Sequence, residues 1–190
     1  MLLRQLPLLL CSLAWPLAAR ASVVEQLPLA ELTHRADRVV VGQVLETQTA
    51  WSDDHRHVFR RVSVRVDQTL KGGASEGLVL LLRGGTLDGI SETVVGVPSF
   101  EAGERVLLFV RQQGEVCRLV GLGQGAFAID TDGTAAQKLD GLSLASAGTD
   151  GALGLSIHGE GGVGRRPLSA LRALIEEAGQ VTGQVTGGAR

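Results

Sequence analysis

The sequence predicts a mainly β domain, an antiparallel barrel or sandwich, and three observations carry that reading. Apolar residues alternate in period two, as in Val58, Val62, Val64 and Val66, the mark of a strand with one buried face. Turn residues rich in glycine punctuate the chain about every ten residues. Helical periodicity is confined to one short stretch near the start and one near the end, which argues against alternating β and α units. Aromatics are only 3% of the 190 residues and tyrosine is absent, so valine, leucine, alanine and isoleucine must fill the core. The same scarcity disfavours platforms that stack bases or sugars.

Taken in order, MLLRQLPLLLCSLAWPLAARA places Arg4 before an apolar run and ends on the small-residue triplet Ala19-Arg20-Ala21. It reads as a secretory signal peptide over residues 1–21, cut after Ala21. The apolar run of about 13 residues falls short of the roughly 20 needed to span a bilayer. No retained membrane span is therefore expected, and the destination is secreted or periplasmic. Removing Arg4 and Arg20 from the 18 basic residues leaves 16 against 20 acidic ones, a balance that disfavours nucleic acid as a partner. Cleavage also leaves Cys117 as the single cysteine, so no internal disulfide is expected and Cys117 reads as a small buried hydrophobe.

Residues 22–142 form the predicted β domain. Leu29, Leu32 and Ala36 lie on one side of a short helix with Pro28 in its first turn, which ends near Asp37. Arg38 to Thr47 is a strand with both faces partly covered. The strand from Val58 is cleaner, broken on its apolar side only by Arg60. A hairpin with its loop around Ser52 to Arg56 joins the two. Leu78 to Leu82 and Arg105 to Val110 are continuous apolar strands, and Gly84 to Gly89 is a glycine-rich loop between them. Val116 to Val120, Ala126 to Asp130 and Ala135 to Leu139 complete the set. Residues 143–166 read as a long Gly/Ser-rich loop, 167–178 as an amphipathic helix with Leu168, Leu171, Leu174 and Ile175 on one stripe, and 179–190 as a disordered tail.

Chemistry is sparse. Gly121-Leu122-Gly123-Gln124-Gly125-Ala126 superficially fits a dinucleotide fingerprint, but a strand rather than a helix follows, so no helix N-terminus meets a pyrophosphate. Gly84, Gly85 and Gly89 lack the Gly-Lys-Ser/Thr ending of a phosphate loop; with Arg83 at their base they remain candidates for contacting a partner or its carboxylate. No serine stands in a Gly-x-Ser-x-Gly elbow. His55 and His57, two apart on a strand, could share a divalent metal with Asp53 as an oxygen ligand. Arg56, Arg60 and Arg61 crowd that site with positive charge, and a solvated hairpin loop is the competing reading. No cofactor is called for by any motif.

Two stretches carry a resemblance: Leu29 to Val44, as L-x-E-L-x-x-x-A-D-x-V-V-x-G-x-V, and Val62 to Gly72, ending Leu70-Lys71-Gly72. With Phe100 to Val110 and Gly123 to Phe127, this arrangement resembles a family of uncharacterised secreted bacterial β-barrel proteins over roughly residues 27 to 142. Its first half is distantly similar to netrin-type and tissue-inhibitor-of-metalloproteinase domains, which implies an OB-like five-stranded barrel. Those inhibitors present an N-terminal cysteine locked by disulfides; here the mature start is Ser22, and the inhibitory site is not implied. The expectation is a secreted, non-enzymatic binding module that engages a protein or peptide, a secreted protease among the options, through its loops. A metal-dependent protein using His55/His57 and a structural envelope component are the alternatives.

Overall fold

The computed structural model describes residues 23–147, 153–156 and 162–185. The expected leader, residues 1–21, and the last part of the expected tail, 186–190, lie outside them. The fold is mainly β, with a short helix near the start and a helix near the C-terminus. In chain order the elements are β1 (Val23–Glu25), α1 (Leu29–Arg35), β2 (Arg38–Trp51), β3 (Val58–Lys71), β4 (Gly77–Arg83), β5 (Gly85–Leu87), β6 (Ile90–Glu92) and β7 (Arg105–Gln113). They continue with β8 (Val116–Leu119), a 3-10 turn (Leu122–Gly125), β9 (Ala126–Ile129), β10 (Thr134–Gln137), β11 (Ser143–Ala147), β12 (Leu153–Ser156), β13 (Arg166–Pro167) and α2 (Leu168–Val185).

The main sheet runs β13-β10-β9-β7-β2-β3-β4-β8, and β8 also pairs with β7. Hydrogen bonding therefore passes through β7, β2, β3, β4 and β8 and returns to β7. The pairings are antiparallel except β4 with β8, which is parallel and rests on one bridge, Leu80 to Cys117. Alternation along β2 and β7 divides the core. Val39, Val41, Leu107 and Phe109 pack on one face against Leu32 of α1 and Leu171 and Ile175 of α2. Val40, Val44, Val106 and Leu108 pack on the other with Val62, Val64, Leu80 and Cys117. Both faces of these strands are buried because helices cover one and the returning strands cover the other.

The residues that carry the sequence resemblance clasp α1 to the sheet. Lys71 Nζ donates to the carbonyls of Thr33 at 2.7 Å and Ala36 at 2.8 Å, a cation on the orphan carbonyls of a helix C-terminus. Asp37 Oδ2 accepts from Gln112 N at 2.9 Å, and Arg111 Nε donates to the Arg35 carbonyl at 2.9 Å. Glu104 pairs with Lys138, whose ammonium sits 5.0 Å from the Phe100 ring centre. The Gly121 to Ala126 stretch is a second clasp. Gln124 is fully buried; its Oε1 accepts from Leu27 N at 2.8 Å and its Nε2 donates to the Glu25 carbonyl at 3.0 Å. A Cβ on Gly123 would stand 2.1 Å from the Lys138 carbonyl oxygen, so glycine is needed there for backbone to pass backbone.

Four differences from the sequence expectation have physical causes. Val23–Glu25 adds a parallel strand beside β11, too short to show a period. The stretch 143–166 is not one long loop: its described part contains β11 and β12, which pair antiparallel, while 148–152 and 157–161 lie outside the described residues. The C-terminal helix runs to Val185 rather than 178, through glycines whose cost per residue is only about 1 kcal/mol. The Gly84 to Gly89 loop is a small hairpin, β5 with β6.

Candidate functional site

The hairpin between β2 and β3 turns where the alternation placed it. Ser52 N donates to the His57 carbonyl at 2.8 Å, and His55 N to the Ser52 carbonyl at 2.8 Å. Asp54 Oδ1 accepts from the Ser52 hydroxyl at 2.6 Å and Arg56 N at 3.2 Å; the hydroxyl bond first, then the amide, hold its carboxyl below the usual carboxylate range. Asp53 is exposed. His55 sits at φ +54° and stacks on Trp51, ring centres 6.3 Å apart. His57 turns away toward β4. The two imidazoles have different partners and Asp53 joins neither; among the described residues no group of three or more His, Cys, Asp or Glu side chains could hold a metal.

The structure brings His57 and Arg83 together. Arg83 Nη2 lies 2.9 Å from His57 Nδ1, a bond that requires this ring nitrogen to accept. Beside both stands Glu92, which no sequence motif marks. Its Oε1 accepts from Arg83 Nε at 2.8 Å and lies 3.4 Å from His57 Nδ1; its Oε2 accepts from Val58 N at 2.8 Å. The Val58 amide first, and then Arg83, depress the Glu92 carboxyl below the ordinary range. A signal for this was present: Asp88-Gly89 is a two-residue hairpin turn in type I′ chemistry, and at φ +51° and +77° it folds Glu92 back over Arg83. The glycines proposed as a contact loop build that hairpin. Gly84 at φ +95° donates to the Val58 carbonyl at 2.7 Å, Gly85 lies in β5, and Gly89 is the exposed tip.

Arg83 also forms one rim of an apolar groove of about 220 Å³, with Arg118 on the other rim. Leu81 and Leu82 of β4, Val97 and Pro98 after β6, Leu119 at the end of β8 and Leu122 after it line it. Successive strand residues point to opposite faces, so a cavity touching both Leu81 and Leu82 wraps the edge of β4. Along that edge β4 and β8 share a single ladder bridge, Leu80 to Cys117. Val95 beside the groove is 45% exposed and Leu122 within it 37%, and Leu122 holds φ +58°, a conformation that costs a bulky residue about 1–3 kcal/mol. Among the larger depressions, those of about 380 and 510 Å³ share Arg111 and Leu119, one of about 490 Å³ lies along Val66 to Thr69, and all three are of mixed polarity; one of about 310 Å³ is lined by Leu29 and Ala30 of α1 and Leu174 of α2 and carries no arginine.

Cys117 is buried and donates its thiol to Gln112 Oε1 at 3.2 Å. Burial pushes its thiol up, away from the thiolate form that reacts. No helix among the described residues is long and apolar enough to cross a membrane. No protein-family model matches the chain, and no curated protein matches it.

Proposed function

We propose that the chain is a secreted, non-enzymatic binding module built on an OB-like barrel, which takes a segment of a protein or peptide partner in the groove beside β4. The order β2-β3-β4-β8-β7, returning to β2 with only β4 and β8 parallel, supports the OB-like reading, as does the sequence rhythm similar to netrin-type domains. The observation that carries the binding reading is an apolar groove with arginine rims along a strand edge with a single bridge. An extended peptide laid across such a groove can seat one side chain in the pocket and hold its alternate neighbours over the flanking strands. The resemblance motifs support the same division of labour, since Lys71, Asp37, Glu104 and Gln124 are occupied in holding the fold.

Affinity capture from the organism's secreted fraction, read by mass spectrometry, tests this. The full chain is expected to retain a partner that Leu122→Trp, which fills the groove, loses and that Gln68→Trp, exposed on the far part of β3, keeps. A partner retained equally by both variants would place binding elsewhere. Absence of any partner, with an envelope defect on deletion, would favour a structural envelope component instead.

A further inference from the structure

We propose that the groove selects an extended acidic segment: one large aliphatic side chain seated in the pocket, flanked by a carboxylate two residues away on either side. This deepens the reading of the groove as a peptide site and rests on it. The size of the pocket sets the first element. At about 220 Å³ it falls below the roughly 300–1,000 Å³ that encloses a small-molecule ligand, and its lining is aliphatic, so it suits a single apolar side chain.

Charge sets the second. Leu81 at the groove floor is paired across the sheet with Arg61 of β3, and the Leu80 to Cys117 bridge puts Arg118 of β8 on its other flank. Neighbouring strands lie about 4.8 Å apart, so these two arginines bracket the apolar floor on the same face. Arg61 and Arg118 are exposed and make no ion pair among the described residues; Arg118 Nε donates to the neutral Gln113 Oε1, which leaves its charge uncompensated. Arg118 is moreover directly opposite Arg111 in the β7–β8 register, a like-charge pairing that destabilises a sheet and that an incoming carboxylate would relieve. Arg83 at the rim is paired with Glu92, so the uncompensated charge is that of Arg61 and Arg118. The groove mouth is therefore net positive on a chain whose total charge is −2.

Spacing sets the third. In an extended peptide, residues two apart share a face and stand about 6.7 Å from one another. In a segment that crosses β3, β4 and β8 on this face, with an aliphatic side chain at position i over Leu81, side chains at i−2 and i+2 come within reach of Arg61 on one flank and Arg118 on the other.

Fluorescence anisotropy with labelled peptides tests this on the full chain, purified from the compartment it reaches. Gly-Glu-Ser-Leu-Ser-Glu-Gly, blocked at both ends, is expected to bind at least tenfold tighter than its Gln-for-Glu version. The Lys-for-Glu and Ser-for-Leu versions are expected to lose binding, and affinity is expected to fall as salt rises. Arg118→Glu and Arg61→Glu should each lower affinity for the acidic peptide at least fivefold, and Arg105→Glu, on the helix-covered side, should leave it unchanged. Equal affinity for the Gln version would overturn the acidic class while leaving a peptide groove in place. Tighter binding of an unblocked Gly-Gln-Ser-Leu peptide would overturn it in favour of a C-terminal carboxylate. If no peptide binds, the acidic assignment fails, and partner capture with Leu122→Trp decides independently whether the groove is a binding site.

Discussion

Two seams of the same sheet are built in opposite ways. Where β2 meets β3 and β7, the register is long, the core is closed on both faces, and charged side chains are spent on backbone: Lys71 on the end of α1, Asp37 on Gln112, Arg111 on Arg35. Where β4 meets β8 there is one bridge, an apolar groove, strained Leu122 and arginines turned to solvent. The difference teaches that the patterned part of the chain is its scaffold. Its unpatterned segments, around Leu81, Val94 to Pro98 and Leu119 to Leu122, build the surface with unmet binding capacity.

The comparison can be broken by substitutions on each side, and the effects should fall steadily from the clasp to the seam. Gln124→Leu leaves the buried Leu27 amide and Glu25 carbonyl without partners and should cost about 3 kcal/mol in urea denaturation. Lys71→Met removes the charged donor shared by the Thr33, His34 and Ala36 carbonyls and should cost about 2 kcal/mol by the same measurement. Glu92→Gln sharpens the boundary between the two regions. Because the folded carboxyl is depressed, its stabilising contribution is present above the unfolded value of about 4.3 and is lost as pH falls through the folded value. The stability difference between wild type and Glu92→Gln should accordingly be constant near neutrality and shrink below about pH 4.3. Arg118→Glu should change stability by no more than about 0.5 kcal/mol, in the stabilising direction, since it turns a like-charge pair with Arg111 into an opposite one.

How far the sequence foretold this follows the same line. Period-two alternation located β2, β3 and their hairpin, and the double burial of Val39 to Val41 was legible in their unbroken apolar run. The bulge between Val44 and Glu46 was not: it adds a residue to β2, and Leu45, assigned to a covered face by strict alternation, is 52% exposed. Arg83 was singled out, yet its meeting with His57 depends on a hairpin turn at Asp88-Gly89 that hydrophobic periodicity does not register. The groove stayed hidden because Leu78 to Leu82 reads as a strand buried on both sides. Leu81 points to the face opposite the core that takes Leu78, Leu80 and Leu82, between Arg61 and Arg118, and which face a core covers is a property of topology rather than of local pattern.

The Asp53 to His57 cluster shows the reverse error. Its density of ionisable groups suggests a site, but Asp54 is engaged in its own turn, His55 stacks on Trp51, and His57 faces Arg83. Of the residues raised as candidates, Arg83 alone lines the groove, and it does so with Glu92 fixing its guanidinium.

Amide hydrogen exchange of the full chain, with and without the saturating acidic peptide, tests most directly that binding capacity resides at the β4–β8 seam. Exchange is expected to slow in residues 79–83, 94–98 and 118–122, with no change at residues 71–72 and 110–113. Slowing confined to the α1 clasp, with the groove segments unaffected, would contradict it.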